Sequence, residues 1–305
     1  MKIIKCIPII CVLAASLLSG CIQDERGDCA RICNLIIKIV DESGNDITTS
    51  GVVDQATLYL FDSNDKFLEQ IEVPAGTIRS RETIKLEYPG HPYLTAIIWC
   101  NIDDPNIVVD PVNPSYLITS DLDLYLVGSR ATAMSGYPGE LFHGKQVIAM
   151  PLGSGSTDIS EVIASRKVSS IQINAKGLYK FFPTNNPDAD YRLEVSGTSD
   201  SFELIEGRLC SDAGEAIYTP QITFDGTSHS TKLFNTFPSG NGGGVTVKIY
   251  QGNTLIYTAT VDKNGNRFVA VEGHTLIINI DFSAGDVKID AEVVPWGDLN
   301  QSVTQ

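Results

Sequence analysis

From Leu35 onward the chain is written in short stretches of period-two alternation, separated by clusters of turn-forming residues. "NLIIKIVDESGNDI" is an apolar run closed by a turn cluster. In "DQATLYLFDSNDKFLEQ", Leu58 and Leu60 share one face while Tyr59 and Phe61 share the other. "DSNDK" is the turn and Phe67 and Leu68 begin the return strand, which predicts a hairpin. "RETIKLEYPG" sets Ile84 and Leu86 opposite Lys85 and Glu87, and "YLTAIIWCN" is apolar nearly throughout, as a strand buried on both faces would be. Strand patterns return in "YRLEVSG", "VTVKIYQGNTLIYTATVD", "NRFVAV" and "TLIINIDF", with tight turns expected at Gly252-Asn253 and Asn264-Gly265. The Pro-rich segment 102–139 is irregular, and Asp121 to Val127 fits a helical turn as well as a short strand.

The pattern restarts once. "PLGSGSTDI" at 151–159 has the composition of a flexible link. Beyond it "RKVSSIQINAKGL" places Val168, Ile171 and Ile173 between polar neighbours, parallel to the opening run at 35–40. The expected organisation is therefore all-β, with one β-sandwich over 35–152 and a second over 160–305.

The first thirty residues follow different rules. Lys2 and Lys5 precede an apolar stretch from Cys6 to Leu18, too short for a bilayer, which needs roughly 20 apolar residues. This is the anatomy of a secretory signal over residues 1–20. Its end, Leu18-Ser19-Gly20-Cys21, is a bacterial lipobox pattern. Cleavage between Gly20 and Cys21 would leave Cys21 as the acylated first residue, on an acidic tether over 21–34. Several acyl chains, at about 0.8 kcal/mol per buried methylene, would hold such a chain on a membrane almost permanently.

Losing Lys2 and Lys5 shifts the net charge from −15 to −17, which excludes nucleic acid and anionic lipid headgroups as partners for general electrostatic attraction. Four cysteines outlast the signal and Cys21, namely Cys29, Cys33, Cys100 and Cys210. In an exported protein they can pair in any of three ways. Zinc is disfavoured, because Cys29 and Cys33 have no second close pair and no nearby His.

No catalytic constellation emerges. His91, His143, His229 and His274 form no metal-binding helix pair, and no nucleophile elbow occurs. "SGNGGG" at 239–244 leads into a strand and so lacks the helix N-terminus of a phosphate cradle. The loops starting at Asp62 and Asp262 have Val73 and Gly273 where a calcium loop has its twelfth-position Glu, so both read as hairpin turns. Trp99 reads as core, whereas Trp296, Tyr218 and Tyr137 are candidate aromatic platforms for a glycan. No cofactor or metal is expected.

Taken in order, the lipobox with its cysteine-containing tether, "TLYLFDSNDKF" at 57–67, "YLTAIIWCN" at 93–101, "LFHG" at 141–144, "RKVSSIQI" at 166–173 and the ending "LIINIDF…IDAEVVPW" resemble the FimB/Mfa2 family of fimbrial anchor and accessory subunits of Bacteroidetes. Gln23-Asp24-Glu25 likewise looks like the acidic tags that direct lipoproteins of that group to the outer face of the outer membrane.

The resemblance implies two tandem transthyretin-like β-sandwiches and a lipid-anchored place in the outer membrane at the base of a fimbrium, where it would limit fimbrial length. It also implies joining to the major shaft subunit by donor-strand complementation, in which an incoming strand satisfies an unpaired sheet edge. Stalk subunits of such systems are clipped after an Arg. Arg26 and Arg31 lie in the corresponding region, but cutting at either would sever the lipid, so the tether is expected to stay intact. The alternatives are a surface glycan-binding lipoprotein and a tip or accessory adhesin of the same fold.

Overall fold

Alternation at Leu35, Ile37 and Ile39 gives β1 (Ile32–Val40) one fully buried face. The computed structural model describes residues 31–113, 115–129, 134–152, 159–181, 186, 189–283 and 286–301. After β1 come β2 (Gln55–Phe61), β3 (Phe67–Pro74), the short helix α1 (Ala75–Arg79), β4 (Ile84–Glu87), β5 (Tyr93–Cys100), β6 (Ile107–Val109), β7 (Asp123–Leu126), β8 (Phe142–Ala149) and β9 (Ile159–Arg166). Then follow β10 (Ser169–Lys176), α2 (Leu178–Phe181), β11 (Tyr191–Ser199), β12 (Ser201–Glu203), β13 (Glu215–Tyr218), β14 (Ile222–Phe224), β15 (Ser228–Thr231) and β16 (Phe234–Thr236). The chain closes with β17 (Thr246–Gln251), β18 (Thr254–Ala259), β19 (His274–Asp281), β20 (Lys288–Pro295) and α3 (Trp296–Gln301).

The amino-terminal strands form one sheet in the order β3-β2-β5-β8-β9-β1-β4. β1 and β9 run parallel, with Asn34–Val40 against Ile159–Ser165. β8 meets β9 only at Phe142–Arg166 and His143–Ser165. The sheet folds over at that corner, because Leu35, Ile37 and Ile39 share one core with Leu58 and Leu60 of β2, Leu94 and Ile98 of β5, and Val162 of β9.

The carboxy-terminal strands build two further sheets, β14-β15-β10-β19-β20, with β16 also on β10, and β13-β11-β17-β18. Ile171, Val195, Val247 and Ile278 fill the core between them. Here too the opening strand has a parallel partner, β10 on β19, with Ser170–Lys176 against Thr275–Asp281.

The two units share a wall. Tyr59, Phe61, Ile97 and Trp99 point away from the first core and into the second, beside Leu124 and Leu126 of β7 and Phe202 of β12. β5 is therefore apolar at every position from Leu94 except Thr95, since each of its faces belongs to a different core. The indole N–H of Trp99 donates to the Leu204 carbonyl at 2.7 Å, satisfying the one polar group on that buried ring.

Three sequence readings change. The Gly/Ser-rich stretch 151–159 joins β8 to β9 within the first sheet, so the turn between units falls at Lys167 and Val168; composition marks a loop but not what the loop connects. "NRFVAV" forms isolated bridges at Arg267 and Phe268 instead of a strand, because Ala270 exchanges bonds with Ser239, whose amide and hydroxyl both reach it. Asp121 to Val127 resolves as the short strand β7, paired with β6 and β12.

Candidate functional site

A β-sheet can offer a partner the unpaired backbone of an edge strand. β4, β6, β12, β13 and β14 are edges of only three or four residues, and β18, paired only with β17, is an edge of six that carries the exposed Leu255. β3 is a longer edge, but its inward Phe67 and Val73 are already buried and Glu69 and Glu72 stand exposed along it. Such charges blunt an edge.

β20 differs. It is eight residues long and pairs only with β19, from His274–Pro295 to Asp281–Lys288. Opposite the buried Leu276, Ile278 and Ile280 it places Val293, Ala291 and Ile289, and Val293 is 43 % exposed. Its outer side is capped at the start, where the Lys263 N–H donates to the Ile289 carbonyl at 2.8 Å and the Lys263 ammonium meets Asp290 at 2.5 Å. Among the described residues no strand lies along Ala291–Pro295.

The position of this edge is fixed by contacts beyond it. The Gly297 N–H approaches Glu42 Oε1 at 3.3 Å, and the Trp296 N–H donates to the Gly273 carbonyl at 3.2 Å. Glu42 follows the carboxyl end of β1, a strand of nine residues whose two ends lie about 26 Å apart at roughly 3.3 Å per residue step. The free run of β20 therefore ends beside the far end of β1 from residue 31.

Arg31 sits at that other end. Its guanidinium donates to the Met150 carbonyl at 2.7 Å, its carbonyl accepts the Tyr88 N–H, and it bridges to Leu152. Arg31 is thus tied to the first sheet through both its side chain and its backbone. Gly20, Cys21, Arg26 and Cys29 lie outside the described residues.

Between the units lies a clamp that no sequence motif announced. Arg166, 2 % exposed, closes β9. Its guanidinium bonds both oxygens of Glu140, at 2.5 and 3.1 Å, along with the Val168 carbonyl at 2.8 Å, Ser170 Oγ at 2.9 Å and Asn235 Oδ1 at 3.2 Å. It also lies 4.9 Å from the centre of the Trp296 ring. The Arg in "RKVSSIQI" was visible in the sequence, but its partners Glu140, Asn235 and Trp296 come from three distant segments.

His143 is the other buried polar group of the junction. It packs on Trp99 with ring centres 4.7 Å apart, and burial, with help from the Lys167 charge, pushes its imidazole down to about 4.

The predicted platforms and thiols fare unevenly. Trp296 is 8 % exposed and Tyr218 is fully buried, so neither can stack on a sugar; Tyr137 alone is partly open, and it packs on Tyr218 and Phe234. Cys33, Cys100 and Cys210 are free and buried, which corrects the expectation that they pair with one another. Cys33 faces Ser160 Oγ at 3.3 Å, Cys210 faces Asp123 Oδ1 at 3.3 Å, and Cys100 lies in the first core. Burial raises the thiol of Cys100 strongly and that of Cys210 to about 12. A cleft of about 490 Å³ lined by Asp121, Asp123, Glu203, Glu206 and Arg208 adjoins Cys210. Among the described residues no group of three His, Cys, Asp or Glu is placed to hold a metal ion.

Comparison with known proteins follows the same lines. The sequence profile of the fimbrillin-A associated anchor proteins Mfa1 and Mfa2 matches residues 26–302. The major fimbrium anchoring subunit FimB of Porphyromonas gingivalis strain W83 is 24% identical over 302 residues, covering 97% of this chain and 96% of its own. Among solved structures, the fimbrial anchor protein Mfa2 from Porphyromonas gingivalis superposes with a TM-score of 0.63 at 13% identity, over 88% of this chain and 98% of that one. A Bacteroides thetaiotaomicron protein described as a candidate polysaccharide binder has a TM-score of 0.62 at 14% identity, over 87% and 99%. At such identities the two structures speak to fold alone.

Proposed function

Since the chain belongs to the family of fimbrillin-A associated anchor proteins, we propose that it is the outer-membrane base of a fimbrium, held by acyl chains on Cys21 and joined to a shaft subunit through the edge of β20. The role is structural. The two sheet-built units act as tandem transthyretin-like sandwiches, with the lipid at one end and the shaft at the other.

The observation that carries this reading is the polarity of the molecule. Residue 31, where the tether enters, and the open run of β20 lie at opposite ends of β1. An added strand along Ala291–Pro295 would satisfy unpaired backbone groups and cover Val293. Because the anchor keeps its tether, no further subunit follows it, and growth of the fimbrium ends there.

Two measurements test the two halves. Cys21→Ala should release fimbriae into the medium and lengthen them; cells that keep attached fimbriae of ordinary length would refute the anchor. Val293→Lys places a charge on the half-open strip without touching the core. It should abolish copurification of shaft subunit with the detergent-extracted protein, and undiminished copurification would remove β20 as the joint. The glycan-binding reading gains no support from Trp296 or Tyr218, both buried.

A further inference from the structure

The open run of β20 has a definite backbone pattern. The Ile289 carbonyl turns outward, where it accepts the Lys263 N–H at 2.8 Å. In an antiparallel ladder successive residues point their backbone groups alternately toward and away from the partner strand. Ala291 and Val293 therefore turn N–H and C=O away from β19, and Pro295 adds a carbonyl with no donor.

The side chains of the same residues lie on the core side. Ile289, Ala291 and Val293 sit across from the buried Ile280, Ile278 and Leu276, yet Val293 is 43 % exposed. The core thus ends in an uncovered apolar step at the sheet margin. Asp290 and Glu292, between them, point to the opposite face and are exposed.

Charge along this run is uneven. Its start carries the cations Lys288 and Lys263, and Lys263 is matched by Asp290 at 2.5 Å. Its finish carries carboxylates. Among the described residues no Lys or Arg forms an ion pair with Glu292, Glu42 or Asp298. Glu42 Oε1 takes the Gly297 N–H at 3.3 Å, while its Oε2 is buried without a hydrogen-bond partner. A buried carboxylate oxygen left in this way favours an arriving donor.

We propose that the strand received along Ala291–Pro295 alternates apolar side chains with Lys or Arg. Its apolar set closes over Val293, and its cations stand beside Glu292 and the end formed by Glu42 and Asp298. The inference rests on the reading of β20 as the joint and adds what that joint selects. Opposite charges on neighbouring strands attract and like charges repel, so sign discriminates between candidate strands. Alternation matters equally, because a slip of one residue would set the cations over the apolar step. A second copy of this chain, at −17 once residues 1–20 are gone, brings the wrong overall sign.

The test uses the mature acylated chain in detergent and fluorescence anisotropy of three labelled decapeptides: alternating Val and Lys, alternating Val and Glu, and a block peptide of the first one's composition. The Val/Lys strand should bind at least about tenfold more tightly than the Val/Glu strand near physiological salt, with the gap narrowing at about 1 M salt. It should also bind better than the block peptide. Glu292→Lys should shrink the preference for Val/Lys. Ala291→Pro removes one outward N–H and no bond to β19, so it should weaken both alternating peptides.

Equal affinity for Val/Lys and Val/Glu, with both weakened by Ala291→Pro, overturns the charge selection and leaves the joint standing. Equal affinity for the block peptide overturns the alternation. Undiminished Val/Lys binding by Ala291→Pro places the peptide elsewhere and overturns the β20 joint itself.

Discussion

Replacing Arg166 by Ala removes a guanidinium that is 2 % exposed and serves four residues across the junction. Breaking a buried ion pair by deleting one partner costs about 3–5 kcal/mol, because the survivor is left uncompensated. Here the survivor is partly rescued. The side chain of Glu140 is 26 % exposed and keeps a 3.1 Å bond from Asn235. That places the cost near the lower bound, at about 3 kcal/mol, or roughly a hundredfold in the equilibrium between closed and open junction.

The chain has two tryptophans, and both report on this place: Trp99 donates to Leu204 across the units, and Trp296 lies under Arg166. Urea titration followed by tryptophan emission should therefore show the midpoint falling by about 1 M or more for Arg166→Ala. Arg166→Lys should fall between it and wild type, because an ammonium keeps the charge but cannot reproduce the planar fork. A midpoint unchanged within error in Arg166→Ala would refute the idea that this network holds the units together.

Further outcomes follow from other buried groups. His143 has a folded pKa near 4, below its ordinary value of 6.5, through burial and then the Lys167 charge. The unfolded chain therefore binds the extra proton first, so this stability contribution is complete above about pH 6.5 and is lost as pH falls toward 4. His143→Gln should flatten the melting temperature across that window, and an unaltered pH slope would exclude His143 as its source. Gly144→Ala would set a Cβ 2.2 Å from the Ile163 carbonyl oxygen, an overpacking cost of about 1–3 kcal/mol or more. Gly51→Ala meets open space and only the strain of φ +84°, about 1 kcal/mol, so thermal melts should rank Gly144→Ala lower; the reverse order would contradict the packing at the β8–β9 corner. Cys33, Cys100 and Cys210 should resist iodoacetamide in the native protein and label in urea, as mapped by mass spectrometry. Rapid native labelling of Cys100 would contradict its complete burial.

Local structure was readable where the physics is local. The hairpin of β2 and β3 follows from alternation and "DSNDK", and Asp62 closes that turn by accepting N–H groups from Asn64 and Lys66 at 2.8 and 2.9 Å. The double burial of β5 was legible as an apolar run, although nothing in it says that two different cores supply the cover. Parallel pairing is a different matter. β1 finds β9 across more than a hundred residues, and neither sequence carries a mark of the other, so a Gly/Ser loop before β9 looked like a boundary. Trp296 misled for a related reason: its cover is Arg166, remote in sequence. Of the candidate site, "IDAEVVPW" stood out only as part of the family resemblance, and its being an edge strand is a property of the assembled sheet.

The parallel register of β1 with β9 has a mechanical meaning. Tension applied at residue 31 pulls β1 from its starting end, while the rest of the molecule pulls β9 through Arg166, at its finishing end. Two strands pointing the same way and drawn from opposite ends must slide, so the hydrogen bonds across their seven paired positions resist together instead of opening one after another like a zip. The first module is thereby wired to bear drag along its own axis, which is the direction in which a filament dragged by flowing liquid would load it.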